Sequence, residues 1–406
     1  MQAHRHSARA VLVAGLLLGL VDLVALPLTR PEQLGLAARV YTHAAEAVLA
    51  GGDLYAARPP GLEAFGFVYP PVVALAFLPY GLLGNGWVAF GVQTVLNVAT
   101  GLGLAWLLVE VLEGYGVAMP RRDRGLVAGF CLCSVHSAPT MVNGQLNLQL
   151  ALLIAGGLVA LERGRETLAG TALAAAATVK LFPATLGALL LRRRAWRATA
   201  VALGTGLGLL AVGTLALGVD PLATFLTETL PGEAKAGALA ANPLDQPYQT
   251  VRRQLAAVLP GVPPGWLPIL GVLVVSPVVA VLYRRGEDPV ARLLAVHGTI
   301  LGTLLVLPLE PLYYPLAYYP FLVLLYVLPA GPARWLYLAG AGLTLLSVTP
   351  PAFLAQLTAL GLPAGLEAPL VAAAEAVLTV VLPGTLGMWL ILAAGLTYQW
   401  RGPARA

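Results

Sequence analysis

The chain has 406 residues, of which 58% are hydrophobic and only 11% charged. A soluble domain carries about 25% charge, so lipid rather than water is the main solvent and a water-soluble multidomain protein is excluded. The net charge of +5 is held mostly in short arginine clusters between apolar runs, the pattern of membrane-orientation signals rather than of a nucleic-acid surface.

In chain order, His4, Arg5 and His6 precede an apolar run over 8–28. It is too long for a signal-peptide core and lacks a small-x-small cleavage site, so an uncleaved first span is expected. Further apolar runs predict spans over 87–112, 125–141, 146–162, 168–180, 181–192, 197–218, 266–283, 290–309, 313–331, 335–351 and 381–399. The expected fold is an all-α polytopic membrane protein of about 12 crossings, one transmembrane domain over 1–406. The connecting basic clusters are Arg121-Arg122-Arg124, Arg163-Arg165, Arg192-Arg193-Arg194-Arg197, Arg284-Arg285, Arg334 and Arg401-Arg405. If all share the cytoplasmic side with both termini, an even number of crossings separates each neighbouring pair. Three long segments then face away from the cytoplasm of a cell (plasma) membrane: 29–86, 219–265 and 352–380.

Parity decides the stretch from Thr167 to Leu191. One crossing would put one flanking cluster outside, so two short helices are expected, broken around Lys180–Pro183, where proline removes a donor and restricts the residue before it. Helices of about 12 residues rise only about 18 Å, short of a roughly 30 Å hydrocarbon core. The tip bearing Lys180 then ends within the membrane thickness, where irregular backbone needs a protein-lined or wet cavity. Parity also makes Tyr69–Leu83, opening on Tyr69-Pro70-Pro71, a re-entrant or juxtamembrane helix.

In the first outer segment, Pro31–Leu49 is amphipathic, with Arg39, His43 and Glu46 on one face. It reads either as an interfacial helix with a solvated face or as a lid presenting a carboxylate to substrate. It ends at Gly51-Gly52 and leads into Asp53. Lys180, a charge within the membrane, is a site candidate by default, as a cation for phosphate; snorkelling or pairing with a structural carboxylate is the alternative. The turn Asn143-Gly144-Gln145-Leu146-Asn147 is either an ordinary helix start or a contact for sugar hydroxyls. In the second outer segment, Gln249, Arg252 and Arg253 stand opposite the other clusters, as an anion site or in a salt bridge with Asp245 or Glu228. Tyr313, Tyr314, Tyr318 and Tyr319 after Glu310 fit an interfacial aromatic belt. His136, His297, Cys131 and Cys133 read as packing residues, and Gly204, Gly206 and Gly208 as close helix packing. No metal cluster, nucleophile elbow, Walker loop or dinucleotide fingerprint is present, so no cofactor is expected, and metal dependence stays open.

Four segments carry a family resemblance: Val40-Tyr41 through Ala44-Ala45 to Gly52-Asp53-Leu54-Tyr55; Phe67-Val68-Tyr69-Pro70-Pro71; Gly144-Gln145-Leu146-Asn147; and Ala169-Gly170 running to Lys180-Leu181-Phe182-Pro183. Gln249-Thr250 with Arg252-Arg253 adds a fifth. In this order they resemble glycosyltransferase family 87, the polyprenol-phosphate-mannose-dependent α-mannosyltransferase-like enzymes of the GT-C superfamily, over about 37–253. The resemblance implies a GT-C-like fold and inverting transfer of a hexose, often mannose, from a polyprenyl- or dolichyl-phosphate donor to a glycan or glycolipid acceptor on the outer face. A first-loop carboxylate would be the base. Relatives place it a few positions before the Val-Tyr pair, where this chain has Ala37 and Ala38, which leaves Asp53, favoured by the Gly-Gly before it, or Glu46. Substrate would be bound by Arg39, Tyr41, His43, Tyr69, Gln145, Asn147, Lys180, Gln249, Arg252 and Arg253. The competing readings are a polytopic transporter or lipid flippase, which the broken helix suits but the absence of a visible repeat does not, and a catalytically inactive relative.

Overall fold

The structure, a computed structural model, describes residues 2–233, 248–307, 310–346 and 363–401. Among the described residues every regular element is helical. Among the described residues five helical segments are long and apolar enough to cross a membrane: α1 (Gln2–Thr29), α4 (Gly86–Gly114), α10 (Trp196–Leu217), α13 (Leu267–Leu282) with the short turn before it from Pro264, and α14 (Pro289–Val306). A bent pair, α17 (Ala364–Val380) and α18 (Pro383–Arg401), meets at 47° and makes a sixth if it is one span. This is a membrane protein.

The described residues divide into two compact units, those within Gly15–Ala234 and Tyr314–Val323, and those within Met1–Ala14, Lys235–Tyr313 and Leu324–Ala406. The first unit is built from α2 (Leu36–Leu49), α3 (Pro71–Leu83), α4, α5 (Arg121–Cys133), α6 (Ala138–Asn143), α7 (Asn147–Glu162), α8 (Glu166–Val179), α9 (Gly187–Arg192), α10 and α11 (Val219–Thr224). α3 is the short proline-led helix expected after Tyr69. The predicted span over 125–141 is instead broken between α5 and α6. The Ser134 and Ser137 hydroxyls there each lie 2.6 Å from the buried Tyr318 hydroxyl. Tyr314, Tyr318 and Tyr319 are therefore core residues rather than a belt, with Tyr314 stacked on the buried His136.

The segment between α7 and α10 has the expected break. α8 ends at Val179, Lys180 is extended, and the chain continues as a 3-10 turn over Phe182–Leu186 into α9. It also returns to where it started. Arg193, just past α9, donates to Glu162 at the end of α7 at 2.7 Å, and Glu166 at the start of α8 accepts from the Ala198 amide. Arg163 pairs with Glu110 at 2.6 Å and Arg124 with Glu113 at 2.7 Å. Three of the basic clusters thus share one end of this unit with the C-terminal end of α4. The returning helices pack closely, with Gly170 of α8 against the Ala198 carbonyl and Gly213 of α10 against Val72. Gly204, Gly206 and Gly208 instead meet nothing within 4 Å, because α10 buries only Ala198 and Gly213.

The second unit comprises the start of α1, α12 (Val251–Val258), α13, α14, the later part of α15 (Tyr318–Val327), α16 (Pro332–Thr344), α17 and α18. α16 and α18 run antiparallel, with Gly340 against Gly387 and Ile391. Arg334 is buried, not a surface charge: it donates to the Leu325 and Leu328 carbonyls that end α15, to the His4 carbonyl and to Ser7 Oγ. Tyr398 donates to Asp288 and Gln399 to the Leu282 carbonyl, which brings the end of α18 to the Arg284-Arg285 turn. Arg284-Arg285 and the end of α18 therefore share one end of this unit, whereas Arg252 and Arg253 lie by the start of α18. The outer segment expected over 352–380 is helical from residue 364, and Lys235 and Asp245 lie outside the described residues.

Candidate functional site

At the end of the first unit away from its ion pairs, two polar legs meet at the turn Gly144–Asn147. The turn is forced by local geometry. Gly144 caps α6 with φ +68°, and a Cβ there would approach the Phe90 ring to 3.1 Å and the Ala38 methyl to 3.2 Å. Gln145 follows, its amide donating to the Thr140 carbonyl, and Asn147 opens α7.

One leg is cationic. Lys180 Nζ donates to Asn147 Oδ1 at 2.8 Å, and Asn147 Nδ2 donates to Thr140 Oγ1 at 3.2 Å. Lys180 is 8% exposed and Asn147 fully buried. α7 has 16 residues and α8 has 14, so both rise about 21–24 Å from the charged end to this contact, within a roughly 30 Å core.

The other leg is phenolic. Gln145 Oε1 accepts from Tyr41 at 3.2 Å and Tyr69 at 3.4 Å, and the two hydroxyls lie 3.2 Å apart. Tyr41 stacks on Phe77, and Tyr55 donates to the Tyr69 carbonyl at 2.8 Å. Burial pushes the Tyr69 phenol up to about 12; its hydrogen bond to Tyr41 pulls it down and the field of Glu233 adds to the rise. Tyr69 is neutral at working pH and acts as a donor, not a base.

The carboxylate candidates stand differently. α2 ends in a Schellman turn, with Gly52 N bonded to the Ala47 carbonyl, Gly51 N to Val48, and Gly51 at φ +69°. Asp53 comes next, exposed, and its Oδ1 accepts from the Tyr55 and Ala56 amides at 2.8 and 3.2 Å. This Asx turn fixes Asp53 two residues from Tyr55, which joins it to the phenolic leg. Glu46 pairs with His43 at 3.1 Å on the opposite face of α2 from Tyr41, both about one-third exposed. Arg39 shares that face, donating to the Pro60 carbonyl at 3.1 Å and lying over the Trp87 ring. Of these three, Arg39 ties the helix to the loop at Pro60, and none of them contacts the buried legs in the hydrogen bonds described.

Gln249, Arg252 and Arg253 belong to the second unit and are buried there. Arg253 Nη1 donates to the Leu378 carbonyl at 3.4 Å and Gln254 Nε2 to the Val380 carbonyl at 3.0 Å, covering the last carbonyls of α17. Gln249 fills the space where a Cβ on Gly384 would stand. Burial pulls the Arg252 guanidinium below its usual range.

Sequence reasoning passed over several participants. Gln93 and Asn97 on α4, with Tyr80, form a buried amide chain under the turn. Two amides four residues apart in an apolar span were the available signal. Glu233 is a further carboxylate. It lies one helical turn past Leu230, which packs on the same aromatic cluster as Tyr69. Among the described residues no three His, Cys, Asp or Glu side chains gather as a metal site.

No solved structure matches the chain significantly. It is 28% identical over 207 residues to the polyprenol-phosphate-mannose-dependent alpha-(1-2)-phosphatidylinositol pentamannoside mannosyltransferase of Mycolicibacterium smegmatis. That alignment covers 50% of this chain and 48% of the relative, so the chain spans about half the length of the curated relative that it matches. The Lys180 hairpin, the Gly144–Asn147 turn and Tyr69 all fall within residues 67–308, which match the model of glycosyltransferase family 87, and the chain belongs to that family.

Proposed function

We propose that the chain is a membrane glycosyltransferase that moves a hexose, with mannose the first to test, from a polyprenyl-phosphate donor to a glycan or glycolipid acceptor on the extracytoplasmic face. The observation that carries this reading is the burial of Lys180 against Asn147, at the end of its unit opposite the ion pairs, in a chain of this family. An ammonium kept within a span suits a reaction whose leaving group is a phosphate. The relative's dependence on polyprenol-phosphate-mannose supports the donor class.

On this reading Lys180 faces the donor phosphate, and Gln145, Asn147, Tyr41 and Tyr69 hold sugar hydroxyls. Asp53 takes the proton of the acceptor hydroxyl. The acceptor oxygen bonds to the anomeric carbon from the face opposite the phosphate. The bond from that carbon to the phosphate oxygen breaks, and the lipid phosphate leaves with the electron pair, so the centre inverts. Arg252, Arg253 and Gln249, in the second outer segment, 219–265, offer an anion contact within their own unit, while Arg39, His43 and Glu46 brace the first outer segment, 29–86. The architecture we infer is GT-C-like, a single transmembrane domain of about 12 crossings with α3 re-entrant and both termini in the cytoplasm of a cell-membrane protein. No cofactor beyond the lipid-linked sugar enters.

The test is transfer from polyprenyl-phosphate-mannose to candidate glycolipid acceptors in membranes, comparing wild type with Asp53→Asn, Glu46→Gln and Glu233→Gln. Asp53→Asn should lose about 10²-fold or more in kcat, the usual scale for a general base, and Glu46→Gln little. Absence of transfer from several lipid-phosphate sugars would sink the enzyme reading, and lipid movement without transfer would favour a flippase. Full activity of Asp53→Asn with loss in Glu233→Gln would move the base to Glu233.

A further inference from the structure

Two carboxamides on α4 are buried in a helix otherwise suited to lipid: Gln93 is 1% exposed and Asn97 fully buried. Amides in such a place must find partners in protein, and both polar atoms of Gln93 have them. Its Oε1 accepts from Tyr80 at 2.7 Å. Its Nε2 lies 3.3 Å from Asn97 Oδ1 and 3.4 Å from the Gln145 carbonyl. This pattern sets the amide one way round, because the reverse would face its oxygen against two acceptors. Asn97 Nδ2, fully enclosed, has no hydrogen-bond partner among the described residues.

The Gln145 backbone is the point that Gln93 grips, and it lies between the two legs of the site. The Gln145 side chain organises Tyr41 and Tyr69, and Asn147, two residues on, receives Lys180. We propose that Gln93, oriented by Asn97 and Tyr80, is a positioning residue that sets the Gln145 carboxamide for the sugar-binding phenols. This rests on the transferase reading above. Amide pairs also serve simply to hold membrane helices together, and the experiment must separate the two roles.

A double-mutant cycle does so, on the full-length chain in detergent or vesicles: Gln93→Met, which keeps the volume, Gln145→Ala, and both together. Each single variant should lower kcat for polyprenyl-phosphate-mannose by about tenfold, equivalent to one lost hydrogen bond of about 1.4 kcal/mol. The double variant should be no slower than Gln145→Ala alone, because Gln93 acts only through that side chain. Losses that multiply, or an unchanged kcat in Gln93→Met, would overturn the proposal. A second readout is independent of turnover, the rise in Tm produced by polyprenyl-phosphate-mannose in the absence of acceptor. Gln93→Met should shrink it in the wild-type background and leave it unaltered in the Gln145→Ala background; equal shrinkage in both overturns the assignment. If wild type transfers no sugar, the transferase reading fails, and the same Tm comparison still decides the role of Gln93.

Discussion

Lys180 and Tyr69 make different demands on one turn, Gly144–Asn147. The ammonium is buried at the tip of a broken helix, where only function or pairing offsets its desolvation. If it receives the donor phosphate, Lys180→Met should lower kcat/KM for the lipid-phosphate sugar by about 10²-fold, the scale of removing one charge-stabilising group, and Lys180→Arg should lose less. Steady-state kinetics with the two variants check it. Tyr69 is protonated when folded up to a pKa of about 12, against about 10 for an unfolded tyrosine. The folded state then holds this proton more tightly, so the contribution is whole below pH 10 and is lost as pH rises from about 10 to 12. Tyr69→Phe should flatten that part of the stability profile, measured by Tm against pH. Lys180, Gln145 and Asn147 were legible in the sequence because polar residues interrupting apolar runs stand out without any fold. The face of α2 was legible in phase only: the spacing groups Arg39, His43 and Glu46, but not which side of the helix meets the Gly144 turn. The role of Arg253 at a helix C-terminus was not legible, because the carbonyl it covers is 125 residues away, and neither was the contact of Arg334 with the His4 carbonyl, 330 residues away.

At the level of elements, the hairpin of α8 and α9 was the most demanding expectation, and charge parity alone was enough to predict its break. The contacts that close it, Arg193 with Glu162 and Glu166 with the Ala198 amide, are side-chain events that hydropathy does not encode. The break between α5 and α6 escaped for a related reason: Ser134 and Ser137 look harmless in an apolar run, and the hydroxyl that satisfies them comes from Tyr318. Glycines show the same limit. Composition marks the 204–208 stripe as a packing face, but the structure puts close packing at Gly170 and Gly213. Gly170→Ala should therefore destabilise by about 1–3 kcal/mol, the cost of overpacking, whereas Gly206→Ala should be near neutral or slightly stabilising, by helix propensity. Thermal unfolding of the two variants in one detergent distinguishes them. A reversed order would mean that α10 turns its other face to the bundle.

At the scale of the whole chain, the proposed orientation and the site geometry both rest on the basic clusters. Within the first unit, the ion pairs Arg124–Glu113, Arg163–Glu110 and Arg193–Glu162 gather three clusters at one end, and the Lys180 site lies about 21–24 Å away along α7 and α8. Exposed pairs of this kind contribute only about 0–1 kcal/mol each, so stability does not explain their grouping; topology does. The five helical segments able to cross by length and composition among the described residues leave out short, broken elements such as the α8–α9 hairpin, which penetrates the bilayer if the charge parity holds. Single cysteines at Arg122, Gly164 and Arg194, in a Cys131→Ala/Cys133→Ala background, should all react with a membrane-impermeant thiol reagent from the cytoplasmic side alone. A cysteine at Ala56, exposed beside Asp53, should react from the opposite side alone. Pro183→Cys, at the hairpin tip, should react from that outer side or through a cavity opening there. Labelling of Pro183→Cys only from the cytoplasm would refute the hairpin's depth. Labelling of Arg194→Cys from outside would turn α8 and α9 into one crossing, move Lys180 away from the outer face, and remove the geometric basis for a phosphate at its side.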